Sequence, residues 1–213
     1  MSANSDAPLL HSATARALYH SGRRFDPWAL DWGEAAPVPA DATDVGAVEA
    51  IRLLHQAGGV RRVPVAVIGP KAASDEQRTI AEALGRRLGE LGLTMLCGGK
   101  NGVMEAASKG CMEAGGLSIG LVPDDEWTAA NPYVAIPLAS GLGAARNAVI
   151  ARAAVALIAV GGEYGTLSEM AFGLHFNRMV LALANAPEVP GAVRCASVEE
   201  AVERVAARLL RLA

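Results

Sequence analysis

The sequence predicts an α/β fold built on one doubly wound parallel sheet. Two observations carry that expectation. From residue 63 onward, short unbroken apolar runs alternate with amphipathic helical stretches. Runs that are apolar at every position suit strands buried on both faces, as in a parallel sheet covered by helices. The strands are also too few and too unevenly spaced for an eight-stranded barrel. In a doubly wound sheet, ligands sit outside the carboxyl ends of the strands near a switch point. The strand-to-helix loops are therefore where function should be sought.

Each element has a local reason. VPVAVIG (63–69) is an apolar strand ending in glycine. The stretch 74–92 follows as a helix, with Ser74 and Gln77 at reciprocal capping-box spacing. Ile80, Leu84, Leu88 and Leu91 form its apolar stripe. LTMLCGG (93–99) reads as the next strand and VMEAASKGCMEAG (103–115) as a helix. LSIGLVP (117–123) is a third strand and YVAIP (133–137) a fourth. LGAARNAVIARAA (142–154) is helical, VALIAV (155–160) a strand, GTLSEMAFGLHFNR (165–178) a helix and MVLALA (179–184) a strand. The tail holds VRCAS (193–197) and then a helix from 198. There Ser197 and Glu200 repeat the capping-box spacing, and Val198, Val202, Val205, Leu209 and Leu212 form the stripe.

Residues 1–60 read differently, as an N-terminal helical extension to a single domain spanning 61–213. The best local signal is DVGAVEAIRLLHQAGG (44–59). Val45, Val48, Ile51 and either Leu54 or His55 share a helical face, and Gly58 can stop the helix. FDPWALDW (25–32) suggests a short helix and an arm, which buried Trp28 and Trp32 would pin to a neighbour. Residues 1–42 read as an appendage.

Bulk properties exclude several classes. A chain of 213 residues can bury a full core without staples. With 52% hydrophobic and 19% charged residues, it is globular rather than disordered. A formal charge of -3 and a pI near 5.8 argue against a general nucleic-acid binder, which needs clustered cations. Cys97, Cys111 and Cys195 are odd in number and widely spaced, which fits a reducing compartment better than a disulfide framework. No His/Cys pair has zinc spacing, so no metal site is expected. No charged leader precedes an apolar core. No apolar run reaches the roughly 20 residues that span a bilayer. A cytoplasmic protein without membrane contact is expected.

Four glycine-bearing loops stand at strand ends or helix starts: IGPKAASDE (68–76), CGGKNGVMEAA (97–107), SGLGAARN (140–147) and VGGEYGTLSEM (160–170). Glycine lacks a β-carbon, so the backbone can approach a ligand closely. Free amides in a first helical turn can hold phosphate oxygens. Gly98, Gly99 and Gly102 fit that role, with Lys100 as a cation. So do Gly161, Gly162, Gly165 and the hydroxyl of Thr166. Gly69 ends the first strand, and Lys71 beyond it can face ligand or water. Neither rich loop is a Walker loop, because GK[ST] is absent. GGKNG also misses the dinucleotide spacing GxGxxG.

Two side chains have competing readings. Thr166 and Glu169 stand three apart at a helix start, which suits a capping box. Glu169 also lies one turn from the glycines, where it could accept a proton or grip a sugar hydroxyl. Arg146 in AARN could pair with Glu169 or neutralise a phosphate with its donor fork. It could equally be a solvated helix residue.

The order and spacing of VIG, GGKNGVMEAA, the ARN helix and VGGEYGTLSEM over roughly 63–184 resemble the LOG-like, Rossmann-like family, formerly labelled as lysine decarboxylases. The nearer branch looks like the proteins grouped with the molybdenum cofactor carrier protein. The characterised plant-type enzymes of the family release free base from a riboside 5'-monophosphate by cleaving its N-glycosidic bond. Their motif PGGxGTxxE places the catalytic-type glutamate on Glu169, and the family arginine falls on Arg146. The chain departs from the enzymes at three points. Glu163 stands in the phosphate loop, Asn147 replaces a lysine, and GGKNGVME is the shorter, carrier-like first loop.

The resemblance implies a binding or carrier protein for a phosphorylated nucleotide-like or pterin-like cofactor, namely a molybdenum cofactor or a nucleoside monophosphate. A nucleoside 5'-monophosphate phosphoribohydrolase is the alternative, and a scaffold with a degenerate pocket is the third reading. If turnover occurs, Arg146 and Glu169 are its catalytic residues. A carboxylate partnered by arginine is then expected to stay ionised near neutral pH. The resemblance also implies a homodimer or larger even-numbered assembly, for which Met170, Phe172, Leu174 and Phe176 offer a local helical surface.

Overall fold

The computed structural model describes residues 7–212, so the first six residues of the N-terminal extension and residue 213 lie outside the described residues. The chain divides into two compact units, one formed by residues up to 62 with those from 203 onward, the other by Val63–Val202.

The first unit is mainly β. Strands β1 (Leu9–Ser12), β2 (Ala17–His20), β3 (Arg23–Asp26), β4 (Asp31–Ala35) and β5 (Thr43–Asp44) form an antiparallel sheet in the order β4-β3-β2-β1-β5. Helix α1 (Ala47–Ala57) follows and stops at Gly58, whose φ of 79° suits a residue without a β-carbon. The helix matches the expected segment, but the sheet replaces the expected helical arm. Its strands are two to five residues long, and β3 buries only Phe25. Alternation that short gives no readable period. Trp32 is buried against Phe25 and donates from Nε1 to the Leu210 carbonyl at 2.8 Å. Trp28, by contrast, is 60% exposed beneath the Arg61 guanidinium.

The second unit carries the expected parallel sheet. Its elements are β6 (Val65–Ile68), α2 (Asp75–Glu90), β7 (Thr94–Cys97), α3 (Val103–Glu113), β8 (Leu117–Val122), β9 (Ile136–Ala139), α4 (Arg146–Ala153), β10 (Ala156–Val160), α5 (Tyr164–His175), β11 (Met179–Leu183) and β12 (Val193–Arg194). Helix α6 (Val198–Leu209) begins in this unit and ends in the first. All seven strands are parallel, in the order β12-β11-β10-β6-β7-β8-β9. The chain winds outward from β6 to β9, then returns to β10 on the other side of β6. The switch point therefore lies between the carboxyl ends of β6 and β10.

Strand alternation sorts the core into two faces. Ala66, Ile68, Leu157, Ala159, Val180 and Ala182 pack with Ile150 and Ala151 of α4, with Ala154 just beyond it and with Met170 of α5. Val65 and Val67 point the other way, toward α2 and α3. Those two helices cross at glycines. A β-carbon on Gly85 would overlap the Ala107 carbonyl, and one on Gly110 would overlap that of Glu82. The expected capping box opens α2: Gln77 N–H donates to Ser74 Oγ at 3.2 Å, and Ser74 N–H to Gln77 Oε1 at 3.0 Å.

Candidate functional site

The loops at the switch point enclose a cleft of about 470 Å³. One wall is the turn after β6. A β-carbon on Gly69 would stand 2.6 Å from Val103 Cγ1 and 2.7 Å from the Val160 carbonyl, so only glycine lets the turn pass there. Pro70, Lys71 and Ala72 continue that wall. The opposite wall is the turn after β10 and the start of α5. Gly161 and Gly162 have φ of 62° and 151°, a left-handed stretch that swings the chain into the helix. Glu163 is the N-cap residue, but no side chain caps the helix. The first-turn amides of Tyr164, Gly165 and Thr166 therefore lack intrahelical partners and stand at the positive end of the helix dipole.

Arg146, the first residue of α4, reaches under this opening. It is 6% exposed, and its Nη1 lies 3.4 Å from Oε1 of Glu169, which is also 6% exposed. Gly98, at the end of β7, leaves the space that the guanidinium fills; a β-carbon there would overlap it. The Arg146 Nε is buried with no hydrogen-bond partner. A buried donor of this kind is costly to leave unmade, and an anion in the cleft would satisfy it.

Glu169 is not a capping residue. Helix α5 starts at Tyr164, one turn earlier than the capping reading requires, so Glu169 sits in its second turn facing Arg146. Nor does the arginine keep its carboxyl in the usual range. Burial pushes the Glu169 pKa up to about 7, and the attraction of Arg146 offsets only part of that shift. The expectation of a plainly ionised carboxylate is corrected accordingly: desolvation outweighs a single 3.4 Å contact.

Of the anticipated site residues, Gly69, Lys71, Arg146, Gly165, Thr166 and Glu169 line the cleft. Gly98, Gly99, Lys100, Gly102 and Gly162 support it from behind. Gly102, with φ of 73°, lies against the Pro70 and Lys71 carbonyls, and the following amide of Val103 donates to Pro70 O at 3.1 Å. Lys100 donates to Asp124 Oδ2 and to the Ala129 carbonyl, both at 2.9 Å. The Gly99 carbonyl accepts from Asn131 N–H at 2.8 Å, and the Lys100 carbonyl accepts from Asn131 Nδ2 at 3.0 Å. This loop thus anchors residues 124–131 rather than presenting a cation to the cleft. Lys100→Met should lower thermal stability by no more than ~1 kcal/mol, since the ion pair is partly exposed. It should leave phosphate affinity within about twofold, because the charge is screened and already engaged. Thermal melts and calorimetry with phosphate check both halves.

Met104, Pro123, Ala144 and Asn147 also line the cleft. The first three carry no chemical signal that a sequence could reveal. Asn147 Nδ2 donates to Ser168 Oγ at 2.9 Å and so joins α4 to α5. Among the described residues, no group of three or more His, Cys, Asp or Glu side chains could hold a metal ion. Also among them, no helix is long and apolar enough to cross a membrane.

Fold and site together define a class: a parallel-sheet α/β protein with a glycine-walled cleft over a buried arginine–glutamate pair at the switch point. Residues 62–207 match the SLOG cluster4 family, and the chain belongs to that family. The molybdenum cofactor binding protein of the phototrophic bacterium Rippkaea orientalis is similar at 31% identity and a TM-score of 0.64, covering 68% of this chain and 96% of its own. The Moco carrier protein of Chlamydomonas reinhardtii is similar at 30% identity and a TM-score of 0.65, covering 71% and 99% respectively. An uncharacterised protein of Archaeoglobus fulgidus is 35% identical over 143 residues, which cover 67% of this chain and 94% of that protein.

Proposed function

We propose that this protein binds, and serves as a carrier for, a small phosphorylated cofactor of the pterin or nucleotide kind. The observation that carries the reading is Arg146, a buried cation with an unmade Nε hydrogen bond beneath the uncapped start of α5. Arg146 and the amides of Tyr164, Gly165 and Thr166 would take the phosphate. Gly69 lets the opposite wall approach the rest of the ligand, and exposed Lys71 adds charge at the lip. Similarity to proteins named for molybdenum cofactor binding or carriage supports the pterin form. A molybdenum cofactor would bring its metal with it, so the donor set fits without a protein metal cluster.

The test is mass spectrometry of protein purified under native conditions, with molybdenum measured alongside. A co-purified phosphorylated pterin or nucleotide is the expected result. Empty protein that gives no calorimetric signal with AMP, other nucleoside monophosphates or phosphorylated pterins would overturn the reading.

One observation favours hydrolysis of a nucleoside 5'-monophosphate as a second reading. Glu169 is a buried carboxyl with a pKa near neutrality, the range suited to proton transfer. Release of base from AMP by the wild type, abolished in Glu169→Gln, would favour the enzyme.

We also propose a homodimer. Val149 of α4 and Tyr164, Leu167 and Phe172 of α5 are exposed apolar residues on these two neighbouring helices. The surface differs from the one suggested by sequence: Met170 is fully buried, and Leu174 and Phe176 pack against the core. A sedimentation coefficient of a monomer at micromolar concentration would refute the dimer.

A further inference from the structure

The cleft that would hold an anion also holds a carboxyl group of its own. Arg146 and Glu169 share its floor, 3.4 Å apart and almost fully buried. Few charged or titratable groups face Glu169. Arg146 comes from α4. Cys97 comes from β7, where burial pushes its thiol pKa up, so it stays neutral. Lys71 and Glu163 line the cleft from exposed positions. Strands β10 and β11, against which α5 packs, carry only apolar side chains. Lys100 is engaged by Asp124 outside the cleft.

This arrangement makes an incoming phosphate compete with Glu169. When Glu169 is ionised, it takes up the charge of Arg146, and an anion must enter beside a buried negative group. When Glu169 is protonated, the guanidinium fork is released and the cleft gains one net positive charge. The carboxyl then becomes a hydrogen-bond donor that a phosphate oxygen can accept.

We propose that the cleft takes up a phosphate monoester together with a proton, and that Glu169 receives the proton. The proposal rests on the anion-binding reading above and adds a linkage to it. Burial already pushes the Glu169 pKa up to about 7, with Arg146 pulling it back. An anion on Arg146 weakens that pull and adds a negative neighbour, so the carboxyl pKa rises further in the filled cleft. The sign follows. Affinity is full below the pKa of the free protein and falls as pH rises through it, until the pKa of the filled cleft is reached.

The experiment is calorimetry with AMP and with inorganic phosphate on the full chain, in buffers of differing ionisation enthalpy. AMP is titrated between about pH 7 and 9, where its phosphate, with a second pKa near ~6, is already dianionic. The wild type should lose up to about tenfold in affinity per pH unit and take up a proton on binding, whereas Glu169→Gln should show neither effect. A carboxyl-detected NMR titration of the ligand-free wild type, with the Glu169 signal assigned by its absence in Glu169→Gln, tests the group directly. Its midpoint should lie near 7 and move upward on adding phosphate. Binding of AMP without proton uptake would overturn the linkage and leave the binding reading standing. A Glu169 carboxyl that stays ionised down to about pH 5 would also overturn the linkage, whether or not any probe binds. Failure of both probes to bind at every pH, with the NMR midpoint unmoved by phosphate, would overturn the linkage, and the binding reading falls with it only if phosphorylated pterins give no signal either.

Discussion

Replacing Arg146 with methionine should remove most of the affinity for a phosphate monoester. Losing a buried, hydrogen-bonded charge contact costs ~2–5 kcal/mol, or a weakening of roughly 30- to 4,000-fold. Methionine keeps much of the aliphatic bulk between β7 and α5, so the fold should survive. Glu169 would lose its cation, but burial has already pushed its pKa up to about 7, and it can become neutral instead of remaining as a buried charge. Arg146→Lys should fall between the two, because an ammonium keeps the charge and loses the planar fork. Calorimetry with AMP, beside circular-dichroism melts of all three proteins, makes the measurement. Unchanged affinity in Arg146→Met would show that the unmade Nε bond is not a ligand contact, and the cleft would lose its anchor.

The second large effect concerns stability. Gly85→Ala should destabilise the protein by about 2–3 kcal/mol, the scale of an overpacked core contact. That should lower the melting temperature by roughly 4–12 °C for a chain of this size. The sign is the informative part. In an ordinary helix interior, alanine in place of glycine gains about 1 kcal/mol. At Gly85 the new methyl would overlap the Ala107 carbonyl, which is backbone and cannot rotate away. A melting temperature equal to or above the wild type would mean that α2 and α3 can separate without cost.

The parallel sheet was legible because its physics is local. β6, β10 and β11 are apolar at every position and β7 departs only at Thr94, and glycine or a capping residue marks the helix boundaries between them. The antiparallel sheet was not legible. Arg23, Arg24 and Asp26 leave Phe25 as the single buried residue of β3, and the partners of Phe25 and Trp32 lie in other strands and near the far end of the chain. For the site, the loops revealed which residues gather at the carboxyl edge of the sheet, and the family resemblance singled out Arg146 and Glu169. Residue type could not reveal direction. Lys100 has the chemistry of a phosphate ligand but is held by Asp124 and the Ala129 carbonyl. Gly98 looked like part of a phosphate loop, yet its missing β-carbon makes room for a guanidinium. Gly85 and Gly110 carried no message in sequence beyond a weak helix propensity, because their role exists only where two helices touch.

The first unit is assembled from segments that precede and follow the parallel sheet in sequence. Its buried Trp32 donates to a carbonyl at Leu210, and Arg211 donates to the Leu30 carbonyl at 3.0 Å. A ribosome delivers the antiparallel strands before these partners, with the whole seven-stranded sheet made in between. Until Leu210 is made, the indole N–H of Trp32 has no carbonyl there to meet, and the strands around it wait while the slower-forming parallel sheet is synthesised. Completion of this small unit thus has to follow synthesis of the whole parallel sheet, although its strands are made before that sheet.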